Sequence, residues 1–138
     1  MAKESGGAMS YFVTGATGFI GRFLVSNLLK RKGTVHVLVR KGSVKKLAVN
    51  GDLSKAKLGV APAQLAALKG KITHFFHLAA IYDMTADAES QKQANIGGTK
   101  NALELAAAIK AGCFHHASSI AVAGLYPGVF REDMFDEA

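Results

Sequence analysis

The octet Thr14-Gly15-Ala16-Thr17-Gly18-Phe19-Ile20-Gly21 constrains this chain more than any other stretch. Before it, Ser10-Tyr11-Phe12-Val13-Thr14 is short and rich in β-formers, which predicts a buried strand. After it, Phe19, Ile20, Phe23, Leu24, Leu28 and Leu29 recur at helical spacing as far as Arg31, with Gly33 as a C-terminal stop. Val35 to Val39 then predicts a second buried strand. Strand, glycine turn, helix and strand within about 30 residues make a βαβ unit. In such a turn Gly15 permits the tight bend, Gly18 lets a pyrophosphate approach the backbone, and Gly21 lets helix and strand pack closely. The start of the helix directs N–H groups and a partial positive charge at the phosphates. Thr17, Phe19 and Ile20 share that turn and join the candidate phosphate-binding residues.

The alternation continues. Ala61 to Leu68 predicts a short helix with Pro62 in its first turn, and Ile72 to Leu78 a strand. Ala86 to Lys110 predicts a mainly helical stretch with Leu103, Leu105, Ala106 and Ile109 packing inward, ended by Gly112. Cys113 to Ser118 predicts a further strand. The fold class expected is α/β, a doubly wound parallel sheet of Rossmann type in the order 3-2-1-4-5. Residues 10–138 form one dinucleotide-binding domain without a substrate domain, and residues 1–9 are set aside as a leader or vector remnant. One link is too short. Only Lys41 to Gly51 separates the second strand from Asp52, whereas a crossover takes about 10–12 residues before its strand begins. The third strand is therefore expected to be poorly formed or missing, through an internal deletion or an omitted segment.

Five matches in order carry a resemblance to a known family. The Gly-x-x-Gly-x-x-Gly spacing from Gly15 to Gly21 is similar to the fingerprint of the extended short-chain dehydrogenases/reductases. Asp52-Leu53 resembles the acidic pair after the third strand, and His77-Leu78-Ala79-Ala80 the segment after the fourth. Asn95-x-x-Gly98-Thr99 resembles the helix signature, and Ser118-Ser119 the end of the fifth strand. The resemblance implies that Asp52 and Leu53 meet the adenine and that His77 to Ala80 lie along the ribose. It also implies that Ser119 is the catalytic serine that hydrogen-bonds a substrate carbonyl, although Ala123 stands where many relatives have Tyr. The family's general acid is a Tyr with a Lys four residues later. Here Tyr11 is followed at that distance by Gly15, Tyr82 by Ala86 and Tyr126 by Phe130, so the chain alone is expected to lack its acid catalyst. The run from Phe75 to Met84 and the tail from Gly128 to Phe135 resemble bacterial fatty acyl-CoA or thioester reductases; epimerases and dehydratases share the same motifs.

Arg40 selects the cofactor. In NAD-binding units an Asp or Glu about 20 residues past the glycines holds the ribose 2′-hydroxyl. Arg40 stands 19 positions after Gly21, with Lys41 and Ser43 beyond it. A guanidinium binds a 2′-phosphate that a carboxylate would repel, so NADP(H) is expected over NAD(H), with Arg22 as a further contributor. The expected function is NADPH-dependent reduction of a small-molecule carbonyl or acyl thioester; the alternative class is a non-catalytic, redox-sensing nucleotide module.

The remaining features bound the partners. The net charge is +7, with many of the cations between Lys30 and Lys71, but that stretch lacks the interleaved aromatics of single-strand binders, so no nucleic-acid partner is expected. No apolar run reaches the ~20 residues of a membrane span. Cys113 is the single cysteine, which suits a reducing cytoplasm. His115 and His116 are adjacent on a predicted strand and face opposite sides, so no metal site is expected from them. Glu132 to Glu137 reads as a solvated acidic loop, and the resemblance allows a homodimer through helices.

Overall fold

The structure, a computed structural model, describes residues 8–40, 48–80 and 87–134. Five strands form one parallel sheet: β1 (Ser10–Thr14), β2 (Thr34–Val39), β3 (Ala48–Asn50), β4 (His74–His77) and β5 (Cys113–His116). Their order is β3-β2-β1-β4-β5, as the βαβ pattern predicts. The helices are α1 (Phe19–Leu29), α2 (Pro62–Leu68), α3 (Ala88–Lys92) and α4 (Gly98–Ala108), with a π-helical turn over Gln93–Gly97 joining the last two. Among the described residues no helix is long and apolar enough to cross a membrane.

Alternation along β1 divides the core in two. Tyr11 and Val13 face one side and pack with Leu28 of α1 and Val35 of β2. Phe12 faces the other and joins Phe75, Leu68, Leu105 and Ile109 under α2 and α4, its ring stacked 4.7 Å from that of Phe75. Helices therefore cover both faces, the doubly wound arrangement.

Three expectations change. The third strand is present, but it is three residues long: Ala48, Val49 and Asn50 pair with Val37, Leu38 and Val39. Val49 is buried in the core under α4, which explains why so short a strand holds its place. The link that leads to it, residues 41–47, lies outside the described residues. Leu103, expected inside, is 48% exposed, because the buried stripe of α4 runs through Gly98, Ala102, Leu105 and Ala106. On α1, likewise, Phe19, Ile20, Phe23 and Leu29 are exposed, and the stripe against the sheet is Gly21, Leu24, Val25 and Leu28.

Candidate nucleotide-binding site

The C-terminal ends of the parallel strands bring the motifs to one edge of the sheet. Gly15 leaves β1 with φ +71°, a conformation that favours glycine. The Leu78–Ala79 backbone leaves no room for a side chain, since a Cβ there would lie 2.7 Å from the Ala79 backbone nitrogen. The Gly18 N–H donates to the Gly15 carbonyl at 3.0 Å and closes the turn. Gly18 then caps α1 in extended conformation, and no side chain caps the helix. The first N–H groups of α1 thus keep free bonding capacity at the positive end of the helix dipole. Gly21, one turn further, is buried against the Gly15–Ala16 backbone, where a Cβ would meet the Gly15 carbonyl oxygen and come within 2.8 Å of Ala16 Cα. A pyrophosphate fits this edge: narrow backbone packing behind, open N–H groups in front. Thr17, Phe19 and Ile20 stand exposed around it.

At the β2 end, Arg40 is exposed. Asp52, just past β3, is close enough for the Arg40 charge to act on it. Its Oδ1 accepts from the Ser54 backbone N–H at 3.0 Å and the Ser54 hydroxyl at 2.7 Å. Those two hydrogen bonds, with smaller help from Lys55 and Arg40, hold its carboxyl below the ordinary carboxylate range. Leu53 is anchored from α4: its carbonyl accepts from Asn101 Nδ2 at 2.8 Å, and its side chain packs over the Cα of Gly98. The glycine of the Asn95-x-x-Gly98-Thr99 motif is thus a contact point between the helix and the Asp52–Leu53 loop.

His77 ends β4 with its side chain turned into the protein. Only 1% of it is exposed, and both ring nitrogens are engaged inside the protein. Nδ1 lies 2.7 Å from the Thr14 hydroxyl and Nε2 3.2 Å from the Thr99 hydroxyl. The Thr14 oxygen also accepts from the Ala79 N–H at 3.3 Å. One assignment that satisfies every group has Thr14 donating to Nδ1 and Nε2–H donating to Thr99. Burial, with the neighbouring His116 charge, pushes the His77 pKa down to about 4. The His77 side chain is therefore a neutral tie between β1, β4 and α4. Of its segment, Leu78 and Ala79 are half-buried and Ala80 is exposed at the sheet edge. Thr14 and Thr99 belong to the quoted motifs, each beside a motif glycine, but neither is among the site residues expected from the sequence.

Ser119 follows β5 at the same edge, exposed, and its hydroxyl accepts from the Ala121 N–H at 3.2 Å to start a short 3₁₀ turn. The Arg22 guanidinium lies 5.2 Å and 5.0 Å from the ring centres of Phe19 and Phe23 on α1. Of the tyrosines without a paired lysine, Tyr11 is buried in the core and Tyr126 packs edge-on against Phe130; Tyr82 lies outside the described residues.

A glycine turn with an uncapped helix, on a 3-2-1-4-5 parallel sheet, defines a Rossmann domain of the extended short-chain dehydrogenase/reductase class. Within that class the chain belongs to the NAD-binding family described as male sterility protein, whose model matches residues 13–48 and 43–138. The two matched stretches overlap over residues 43–48. An aldehyde reductase of Aspergillus flavus is 30% identical, over 82% of this chain and 13% of its own length. A putative fatty acyl-CoA reductase of Drosophila melanogaster is 31% identical, over 72% of this chain and 23% of that protein. Among solved structures, the terminal R domain of the myxalamid PKS-NRPS biosynthetic pathway superposes with a TM-score of 0.73 at 26% identity, covering 86% of this chain and 36% of that domain. The chain thus spans well under half the length of each of these proteins.

Proposed function

We propose that this chain is the NADP(H)-binding portion of a reductase that acts on a carbonyl or acyl thioester. The observation that carries the cofactor choice is Arg40, an exposed cation at the end of β2 where an NAD-binding unit would hold a carboxylate. The bound cofactor would supply hydride. Gly15 to Gly21 would hold its pyrophosphate, Asp52 and Leu53 its adenine, and the backbone of Leu78 to Ala80 its ribose. Ser119 would donate its hydroxyl proton in a hydrogen bond to the substrate oxygen. The substrate class is supported by the names of the relatives, an aldehyde reductase and a putative fatty acyl-CoA reductase.

The test is calorimetric titration of the chain with NADPH and NADH. NADPH binds more tightly in the unaltered protein. Arg40→Ala weakens NADPH by roughly thirtyfold, the loss of one charge-assisted hydrogen-bonding partner of about 2 kcal/mol, and leaves NADH unchanged. Equal affinity for the two nucleotides, or no loss for NADPH in the variant, overturns the cofactor reading. A second reading is a nucleotide-binding module without turnover. On either reading this chain alone does not oxidise NADPH when offered a long-chain acyl-CoA; turnover in that assay would show an acid catalyst among its own residues.

A further inference from the structure

The face of the sheet toward α1 carries a second cluster, remote in role from the nucleotide edge. The parallel register pairs His74 of β4 with Cys113 of β5, and Phe76 with His115. Cys113 and His115 are two apart on one strand, so they share a face, and His74 stands beside them on the next strand. Sequence reasoning paired His115 with its neighbour His116, which stacks on His77 on the opposite face at 5.5 Å. The partner that matters is 41 residues away.

We propose that His74, Cys113 and His115 form a binding site for a divalent transition-metal ion of zinc type. One ligand atom from each lies within 4.8 Å of the other two. His74 Nδ1 and His115 Nε2 approach to 2.9 Å and share a proton. Two imidazole nitrogens on a tetrahedral zinc ion stand roughly 3.3 Å apart, given Zn–N bonds of about 2.0–2.1 Å. Exchanging the shared proton for an ion thus asks the rings to separate by a few tenths of an ångström. The rings are held at that spot by stacking: His115 lies 4.5 Å from Phe76 at 13°, and His74 lies 5.9 Å from Tyr11 at 21°. Cys113 is exposed, which gives an ion a way in, and its thiol supplies the soft donor. Two imidazoles and a thiolate leave the fourth position open. Beside the two histidines is a cavity of about 250 Å³, lined also by Met9, Asn27 and Arg31. The Arg31 cation makes water or an anion, rather than a second cation, the fitting fourth ligand.

Titration with Co²⁺ tests this in the unaltered chain. Binding of one ion per chain is expected, with a thiolate-to-cobalt charge-transfer band and the strong visible absorption of tetrahedral cobalt. His74→Ala, Cys113→Ser and His115→Ala each weaken binding by about tenfold or more, whereas His116→Ala on the other face keeps it. Stoichiometric Zn²⁺ also slows alkylation of Cys113 in the unaltered protein by about tenfold, a readout independent of how well any variant folds. A missing thiolate band, unprotected Cys113, or a band that survives loss of both histidines overturns the site and leaves the His74–His115 contact a hydrogen bond only.

Discussion

Gly21→Ala is expected to lose both nucleotide affinity and fold stability, although it adds a single methyl group to a helix. An alanine normally favours a helix over glycine by about 1 kcal/mol. Here the new Cβ is directed at the Gly15 carbonyl oxygen and within 2.8 Å of Ala16 Cα, both backbone and neither able to rotate away. Relief requires α1 to move off the β1 turn. Overpacking of this kind costs about 3 kcal/mol, roughly 10 °C in Tm for a chain of this size. The same movement carries the N–H groups of α1 away from the phosphate position, so NADPH affinity falls by about a hundredfold or more. Gly97→Ala is the matched control. It lies in the π-helical turn, with no atom of the other described residues within 4 Å of an added Cβ apart from its own chain neighbours and helix backbone, and gains about 0.5–1 kcal/mol from helix propensity. Thermal melts of the two variants, with and without NADPH, check the pair. Equal Tm values would show that α1 yields without consequence.

The same glycine explains where the sequence was hard to read. The βαβ unit, the parallel order and the site edge were legible because they rest on local signals: a β-rich run, a glycine spacing and a helix start. The facing of α1 was not. Its buried stripe is Gly21, Leu24, Val25 and Leu28, and a stripe that includes a glycine loses part of its hydrophobic signal. Phe19, Ile20 and Phe23 have the stronger pattern and stand outside. Cross-strand relations were illegible for a different reason. Thr14 with His77, and His74 with His115, are separated by 63 and 41 residues, and a strand's own sequence does not state its register against a neighbour. The third strand was undervalued because length alone was weighed. Val49 compensates by reaching the core.

His77 makes stability begin to fall with pH at about 6.5, before most carboxylates titrate. Its ordinary pKa is 6.5, and burial brings it to about 4 in the folded protein. Between these values the unfolded chain holds a proton that the folded chain refuses, so stability is complete above about pH 6.5 and declines as the pH falls toward 4. The shift corresponds to about 3 kcal/mol in total, a large share of the 5–15 kcal/mol typical of a domain. His36 adds to the same slope, since burial and then the Lys71 charge lower its pKa as well. Subtraction isolates His77. Urea unfolding of the unaltered chain and of His77→Asn, taken from pH 7.5 to 4.5, should show a variant weaker at neutral pH but with a flatter profile, the two curves converging as the pH falls. The reason reaches the site. With Thr14 donating to Nδ1, a proton on Nδ1 ends that bond: the Thr14 oxygen then accepts from both His77 and the Ala79 N–H, and its own hydroxyl proton is left to find another acceptor. The segment that borders the glycine turn is then less firmly held, and NADPH affinity declines over the same interval in the unaltered chain while the variant's shows less dependence. Parallel stability profiles would instead place the pH response outside the Thr14–His77–Thr99 network and leave His77 a packing residue.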